Sequence, residues 1–263
     1  MHPAIRSVLA ATTLLAALSV AACSAPASTG GTDSAAPEER ELQVFAAASL
    51  TETFTVLADD FEAENPGVVV RLNFDGSSGL ATQIVEGAPA AVFAAANTST
   101  MDAVVEAGLT AADPVLFVRN VLEIAVPAGN PAGITGFADL ADPDVVLVVC
   151  AAEVPCGAAT ERVEEATGIE LAPASEENAV TDVLGKVTAG EADAGLVYAT
   201  DVLSAGGSVE GIPFDEAGQA LNDYPIAPLA GASDSALAQE FVGFVLGEHG
   251  QDVLTAAGFL PAE

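Results

Sequence analysis

The sequence predicts an α/β protein of two lobes, each built on a mainly parallel sheet flanked by helices. Short β-rich runs alternate with amphipathic helical segments, which is the pattern of parallel sheets covered on both faces. Two extended segments, residues 121–126 and 224–229, bracket the middle of the chain, so we expect the two ends to form one lobe and the middle the other. The chain has 263 residues, 51% of them hydrophobic, which is enough for a core of this size.

The first 22 residues differ from the rest and predict an export signal. Residues 8–21 are apolar or small, and this run is shorter than the roughly 20 residues that span a bilayer. The run ends in Val20-Ala21-Ala22-Cys23, which resembles a bacterial lipoprotein cleavage box. We therefore expect Cys23 to be lipidated and to hold the protein at the outer face of the cell membrane, with plain secretion as the alternative.

Residues 23–40 predict a flexible tether. The segment after Cys23 (SAPASTGGTDSAAPEER) contains no large apolar side chain, so it has nothing to bury in a core. The folded part is expected to begin near Glu41.

The first predicted unit is a strand followed by a helix. Residues 42–47 form an apolar run of strand type, and Ser-Leu-Thr-Glu at residues 49–52 fits the Ser-x-x-Glu capping box that opens a helix. Apolar residues recur at helical spacing as far as Phe61, and Asn-Pro-Gly at residues 65–67 ends the helix.

The same unit then repeats in the rest of the first half. Residues 68–74 predict a strand, residues 75–79 a turn and residues 80–86 a helix. A strand at residues 90–95 and a helix at residues 98–107 follow.

The middle and the C-terminal part continue the alternation. Together they predict domain boundaries of 41–121 with 224–263 for lobe 1, and of 122–223 for lobe 2. The further elements are strands at residues 145–149 and 194–198, and helices near residues 158–166, 179–189, 235–246 and 251–257.

Two cysteines remain beyond the export signal, Cys150 and Cys156, separated by Ala-Ala-Glu-Val-Pro. An even pair in an oxidising compartment predicts a disulfide that closes a short loop, and two free thiols are the alternative. A zinc site needs about four ligands, and no histidine lies near in the sequence, so we expect no metal site here.

The charge balance excludes nucleic acid as a partner. The chain has 38 acidic and 6 basic residues, for a formal net charge of −32. So few basic residues cannot follow a phosphate backbone, and the negative field repels polyanions.

Ser49 and Ser77 occupy equivalent positions, each between a predicted strand and a predicted helix. A helix N-terminus has unpaired N–H groups and a positive dipole end, so both turns are candidate anion sites. Taken singly, Ser49 is also explained as a helix cap and Ser77 as a polar turn residue.

Several blocks of the sequence closely resemble the molybdate-binding proteins of bacterial ABC transporters. The resemblance extends from about Leu42 to Phe259. It implies a two-lobed periplasmic-binding-protein fold of type II, with a tetrahedral oxyanion in the interlobe cleft and delivery to a membrane permease. The matching blocks are VFAAASLT at residues 44–51, NFDGSSGLA at 73–81, Gln83-Ile84, GAPA at 87–90, VPCG at 154–157 and GLVYATD at 195–201.

The resemblance also implies which residues bind the anion. Ser49 and Ser77 would contribute hydroxyl and backbone N–H groups, Cys156 and Val180 backbone N–H groups, and Tyr198 its phenol. The chain departs from the family pattern at Asp75, Ala91 and Asn97, and at Cys156, where the family usually has alanine.

A pocket made only of donors favours an oxyanion that carries no proton, so we expect molybdate or tungstate, and hydrogen phosphate is disfavoured. The alternative is a binding protein or a sensor for another tetrahedral oxyanion such as sulfate. We expect no cofactor and a monomer. Catalysis is not expected either: once the signal is removed His249 is the only histidine, and the Gly-x-Ser-x-Gly motif of serine hydrolases is absent from the sequence.

Overall fold

A computed structural model describes residues 39–262 of the chain. The predicted export signal, the lipidation site Cys23 and the tether as far as residue 38 lie outside the described residues. Arg40, which the sequence places at the end of the tether, is already the first residue of a strand.

Strands and helices alternate along the described residues. The strands are β1 (Arg40–Ala47), β2 (Val68–Asp75), β3 (Val92–Ala94), β4 (Val115–Asn120), β5 (Leu122–Pro127), β6 (Leu147–Cys150), β7 (Ser175–Glu177), β8 (Ala194–Tyr198), β9 (Val209–Ile212), β10 (Asn222–Pro228) and β11 (Leu260–Pro261). The α-helices are α1 (Thr51–Glu64), α2 (Ser77–Val85), α3 (Thr98–Glu106), α4 (Pro155–Thr167), α5 (Val180–Thr188), α6 (Ala199–Ser204), α7 (Ser235–Leu246) and α8 (Glu248–Ala256).

The strands form two sheets, and the fold has two lobes as predicted. One sheet has the order β11-β4-β10-β3-β1-β2 and the other the order β7-β6-β8-β5-β9. We call the first sheet with α1, α2, α3, α7 and α8 lobe 1, and the second sheet with α4, α5 and α6 lobe 2. The chain passes into lobe 2 between β4 and β5 and returns to lobe 1 between β9 and β10.

The sheets are more mixed than the sequence predicts. β1 is parallel to β2 and β3, and β6 is parallel to β7 and β8. β10 is antiparallel to β3 and β4, and β5 is antiparallel to β8 and β9. Parallel neighbours need a crossover connection, usually a helix. β10 and β5 enter their sheets from the other lobe without such a crossover, which accounts for their reversed direction.

Packing in the two cores fixes the positions of helices α1 and α5. In lobe 1, Phe61 of α1 packs edge to face on Phe241 of α7, with ring centroids 5.2 Å apart. In lobe 2, a Cβ added at Gly195 of β8 would lie 2.7 Å from Val183 and 2.9 Å from Val187. The glycine therefore lets α5 lie close against β8, and this contact positions the N-terminus of α5.

Several boundaries differ from the sequence-based prediction. α2 begins at Ser77 rather than at residue 80, and α4 begins at Pro155, because proline fits the first turn of a helix. β10 begins at Asn222, two residues before the predicted segment, since Asn-Asp is more typical of a turn than of a strand. The short elements β4, β7, β9, β11 and α6 were not predicted.

Candidate functional site

The five residues predicted to bind an anion line one small cavity between the lobes. Ser49 and Ser77 come from lobe 1, whereas Cys156, Val180 and Tyr198 come from lobe 2. The cavity volume is about 10 Å³, roughly the room that one water molecule needs. The structure thus brings the five residues together, while their role as ligand contacts stays a prediction. The cavity is completed by Ala47, Ala48, Gly76, Ala96, Val154 and Pro155.

Four helical segments begin at this cavity. α2 begins at Ser77, α5 begins at Val180, and Cys156 lies in the first turn of α4. Ser49 lies in a short 3-10 helix, Ala48–Leu50, that leads into α1. Because the first N–H groups of a helix have no partner within it and carry the positive end of the dipole, the cavity wall favours a negative charge.

The Ser77 hydroxyl is oriented by the backbone of lobe 1. Ser77 is 1% exposed, and its Oγ accepts the N–H of Ala96 at 3.0 Å. Because this bond occupies a lone pair of the oxygen, the hydroxyl proton is left to donate toward the cavity.

The interpretation of Ser49 as the start of a capping box is wrong. α1 begins at Thr51 with Leu50 as its N-cap, and no side chain caps it. Ser49 Oγ instead forms a hydrogen bond with the hydroxyl of Tyr224 on β10, at 2.8 Å. Because of the 3-10 helix, Ser49 lies one residue before the N-cap, and its side chain points toward the buried phenol of Tyr224.

Tyr198 presents the third side-chain hydroxyl. It is 1% exposed at the end of β8, and Nδ2 of Asn222 donates to its phenol oxygen at 2.8 Å. Burial raises the pKa of Tyr198 well above its usual range, with smaller contributions from the neighbouring Tyr224 and Asp201. The phenol therefore keeps its proton and remains a donor.

Asp201 lies directly behind Tyr198. It is 4% exposed, and its Oδ2 accepts the backbone N–H of Tyr198 at 2.9 Å. Burial raises the pKa of Asp201 to about 7, the N–H of Tyr198 lowers it and the charge of Glu52 raises it. Near neutral pH this carboxyl is therefore partly protonated, which reduces the negative charge beside the cavity.

The start of α4 is packed tightly on the end of β6. The structure joins Cys150 and Cys156 by a disulfide, and the N–H of Ala151 donates to the carbonyl of Glu177 at 2.9 Å. A Cβ added at Gly157 would lie 1.9 Å from the carbonyl oxygen of Ala151. The position of the Cys156 N–H is thus determined by backbone packing.

The other three departures from the family pattern, besides Cys156, make local hydrogen bonds. Asp75 is exposed and lies outside the cavity lining, and its Oδ1 accepts the N–H of Gly76 at 2.8 Å. Asn97 caps α3 by accepting the N–H of Thr100 at 3.0 Å. Ala91 is buried, and its N–H donates to the carbonyl of Gln43 at 2.8 Å.

The cavity lining contains no charged side chain among the residues that the structure describes. Of the basic residues in the range 39–262, only Arg162 makes no ion pair; its guanidinium bonds to the carbonyls of Ala220 and Leu221 and to Oδ1 of Asn222. The other basic residues pair with carboxylates, as Arg40–Asp234, Arg71–Glu41, Arg71–Glu39, Arg119–Asp223, Lys186–Glu177 and His249–Asp60. An anion would therefore be held by neutral donors.

Sequence reasoning missed Asn222, Tyr224 and Asp201, which surround the cavity without being in its lining. An isolated asparagine has no spacing pattern, so no signal pointed to Asn222. Tyr224 is the only other tyrosine in the chain, and its rarity was the one available clue.

Within residues 39–262, none of the helices combines the length and the apolar character needed to cross a bilayer. The same range has no group of three or more histidine, cysteine, aspartate or glutamate side chains placed to hold a metal ion.

Comparison with known proteins gives a consistent picture. The sequence model of the family described as "Bacterial extracellular solute-binding protein" matches residues 42–260. The molybdate-binding protein ModA of Mycobacterium tuberculosis is 51% identical over 220 residues, which cover 84% of this chain and 84% of that protein.

Two solved structures share the fold. The periplasmic molybdate-binding protein of Azotobacter vinelandii has a TM-score of 0.74 at 19% identity and covers 84% of this chain and 100% of its own. The sulfate-binding protein SubI of Mycobacterium tuberculosis has a TM-score of 0.75 at 16% identity and covers 85% of this chain and 88% of its own. At these identities the similarity establishes the fold and does not choose between the two ligands.

Proposed function

Because the chain belongs to the family of bacterial extracellular solute-binding proteins, we propose that it captures molybdate and delivers it to the permease of an ABC transporter. The observation that carries this proposal is the cavity in which Ser49 and Ser77 of lobe 1 face Cys156, Val180 and Tyr198 of lobe 2. The relative at 51% identity is named as a molybdate-binding protein.

The site acts by binding and not by catalysis. Its groups are hydroxyls and main-chain N–H groups at helix starts, without a general base in the lining. His249 is exposed, bonds to Asp60 at 2.8 Å and does not line the cavity.

The donors are sufficient in number for a useful affinity. About seven charge-assisted hydrogen bonds at roughly 1.5–3 kcal/mol each give a gross of about 10–20 kcal/mol. After the costs of association, a dissociation constant between about micromolar and nanomolar is expected. No lysine or arginine is required for this.

The ligand must be an oxyanion without a proton. Where the hydroxyls are held as donors, as the backbone N–H groups always are, the O–H of hydrogen phosphate faces another donor, whereas molybdate, tungstate and sulfate present only acceptors. We include tungstate as a second ligand, because it has the same tetrahedral shape and charge. Sulfate is the alternative ligand, and its smaller size is the property that would separate it from molybdate.

Isothermal titration calorimetry of the purified protein tests the proposal. Molybdate is expected to bind with a dissociation constant of about 1 µM or below, and inorganic phosphate to give no heat. A lower dissociation constant for sulfate than for molybdate would favour the alternative. The absence of heat with all three proton-free ions would disprove the proposed function.

We also propose that Cys23 is lipidated and anchors the protein outside the cell. The support is the sequence Val20-Ala21-Ala22-Cys23 after an apolar run of signal type. Mass spectrometry of the membrane-extracted protein should find a lipid on an N-terminal Cys23, and Cys23→Ser should release the protein into the medium. An unmodified N-terminal peptide from the membrane fraction would contradict lipidation.

A monomer suffices for this function, because one chain supplies both walls of the cavity. The disulfide between Cys150 and Cys156 is proposed to hold the N–H of Cys156 at the cavity.

A further inference from the structure

Asn222 occupies the point where the chain returns from lobe 2 to lobe 1. It is the first residue of β10 and is 1% exposed. Its Nδ2 lies 2.7 Å from the carbonyl oxygen of Ala96 in lobe 1, and 3.2 Å from that of Pro155 in lobe 2. The same Nδ2 lies 2.8 Å from the phenol oxygen of Tyr198. One amide therefore connects both walls of the cavity.

The partners of Asn222 fix the orientation of its amide. The carbonyls of Ala96 and Pro155 can only accept hydrogen bonds, so the group that faces them must be the NH₂. The guanidinium of Arg162 can only donate, and it lies 3.1 Å from Oδ1. A flipped amide would place Oδ1 against the carbonyl oxygens of Ala96 and Pro155, and it would place the NH₂ group against the guanidinium of Arg162. Arg162 makes no ion pair among the described residues, and its guanidinium donates to Asn222 and to the carbonyls of the two residues before it.

This orientation determines how Tyr198 faces the ligand. Nδ2 of Asn222 carries two protons, and its two shortest contacts are the carbonyl oxygen of Ala96 at 2.7 Å and the phenol oxygen of Tyr198 at 2.8 Å, so the 3.2 Å contact with Pro155 is the weaker one. The bond to the phenol occupies a lone pair of that oxygen and leaves the O–H to point into the cavity. Without Asn222, the phenol could rotate and present a lone pair to the cavity. A lone pair there would accept the O–H of a protonated oxyanion.

We propose that Asn222, oriented by Arg162, is a positioning residue that holds the Tyr198 hydroxyl as a donor and so determines the selectivity against protonated oxyanions. The inference rests on the proposed function, since it concerns the selectivity of the same cavity. It assigns that selectivity to a residue outside the cavity lining.

Asn120 provides a matched control. It is also buried, pairs with Asn222 across β4 and β10, and donates from Nδ2 to Oγ1 of Thr200 at 2.8 Å. Thr200 does not line the cavity. Asn120→Ala therefore removes a buried amide from the same place between the lobes. It releases the phenol of Tyr224, which Asn120 also contacts, but it leaves the bond from Asn222 to Tyr198 in place.

A double-mutant cycle measured by calorimetry tests the proposal. Asn222→Ala should weaken molybdate binding about 3–10-fold and raise phosphate affinity relative to molybdate, because the phenol is no longer held as a donor. In a Tyr198→Phe background, the same substitution should change molybdate binding by less than about 2-fold. Asn120→Ala should leave the ratio of phosphate to molybdate affinity unchanged.

An equal loss of molybdate affinity on Asn222→Ala with and without the Tyr198 hydroxyl would overturn the proposal, since Asn222 would then act through its contacts with Ala96 and Pro155. If the wild-type protein binds none of the oxyanions, the proposed function fails. Whether Asn222 positions the Tyr198 hydroxyl can still be measured without ligand.

A readout without ligand comes from ¹⁹F NMR of protein labelled with 3-fluorotyrosine. The chain has two tyrosines, so the spectrum has two resonances that Tyr224→Phe assigns. Asn222→Ala should shift the Tyr198 resonance, Asn120→Ala should leave it in place, and Arg162→Met should shift it in the same direction by less. An unchanged Tyr198 resonance in the Asn222→Ala protein would overturn the proposal.

Discussion

Lobe 1 and lobe 2 supply donors of different kinds to one cavity. In the proposed site, lobe 1 supplies the hydroxyls and backbone N–H groups of Ser49 and Ser77, whereas lobe 2 supplies the backbone N–H groups of Cys156 and Val180 together with the phenol of Tyr198; all five residues line the cavity. A side-chain donor is lost by a single substitution, but a main-chain donor is lost only if its helix moves. Two of the three side-chain donors belong to lobe 1, so we expect single side-chain substitutions to affect lobe 1 more and changes in helix packing to affect lobe 2 more.

The largest effect on binding is expected at Gly76, where the lobes touch. A Cβ there would lie 1.9 Å from the carbonyl oxygen of Asn178, which belongs to lobe 2. Because the clash is between lobes, Gly76→Ala should oppose closure and weaken molybdate binding about 100-fold, which is the upper part of the usual cost of overpacking. Calorimetry measures the affinity, and thermal unfolding without ligand should show little change.

Gly157 is the matched control inside lobe 2. Its added Cβ would lie 1.9 Å from the carbonyl oxygen of Ala151, within one lobe. Gly157→Ala should lower the melting temperature without ligand, because the free energy of unfolding falls by about 1–3 kcal/mol. If Gly76→Ala lowers the melting temperature without ligand as much as Gly157→Ala does, the clash at Gly76 affects folding and not the closure of the lobes.

The second prediction compares a side-chain donor with a main-chain donor. Ser77→Ala removes a hydroxyl proton from the cavity and the acceptor for the Ala96 N–H, so molybdate affinity should fall about 10–50-fold. Val180→Ala keeps the N–H and should change the affinity by less than about 3-fold. Titration calorimetry of both variants decides, and a larger loss for Val180→Ala would contradict the assignment.

The third prediction concerns the packing of lobe 2. Reduction of the Cys150–Cys156 bridge should lower the free energy of unfolding by about 2–3 kcal/mol in the chain-entropy treatment of a short loop. Molybdate affinity should fall by a smaller factor, about 3–10-fold, because the Cys156 N–H is less well held. Urea titrations and calorimetry with and without reductant measure both. If neither changes, the bridge does not position this donor.

The fourth prediction is a dependence on pH that originates in lobe 2. The pKa of Asp201 is raised to about 7 by burial, against an ordinary value of about 3.9. Between these values the folded protein binds more protons than the unfolded protein, so the free energy of unfolding should fall as pH rises from about 4 to about 7. Asp201→Asn should remove that slope in urea titrations.

Binding should follow the same carboxyl. A bound dianion favours protonated Asp201, so molybdate affinity should fall severalfold between about pH 6 and pH 8 in the wild type and much less in Asp201→Asn. The lowered pKa values of Asp139, Glu177 and Asp234 act in another window, because their contribution to stability is lost only in more acidic solution. A wild-type affinity that rises over the same interval would contradict this role.

The sequence predicted the alternating elements and both serine turns because each depends on local signals. Hydrophobic spacing defined α1, and glycine with polar residues marked the turn before α2. The capping-box prediction for Ser49 was wrong, because the Ser-x-x-Glu pattern is local. It carries no information about Tyr224, the hydrogen-bond partner 175 residues away. The direction of β5 and β10 and the position of Asn222 also depend on contacts between distant segments, which no local pattern encodes.

The two links between the lobes leave lobe 1 from neighbouring antiparallel strands, β4 and β10, which are paired at Asn120 and Asn222. The ladder of hydrogen bonds between these strands holds the two starting points side by side. Lobe 2 should therefore move relative to lobe 1 mainly as a hinge at these two points, so that the lobes meet in the same alignment each time they close. Reproducible capture then depends on the pairing of β4 with β10 as well as on the rigidity of either lobe.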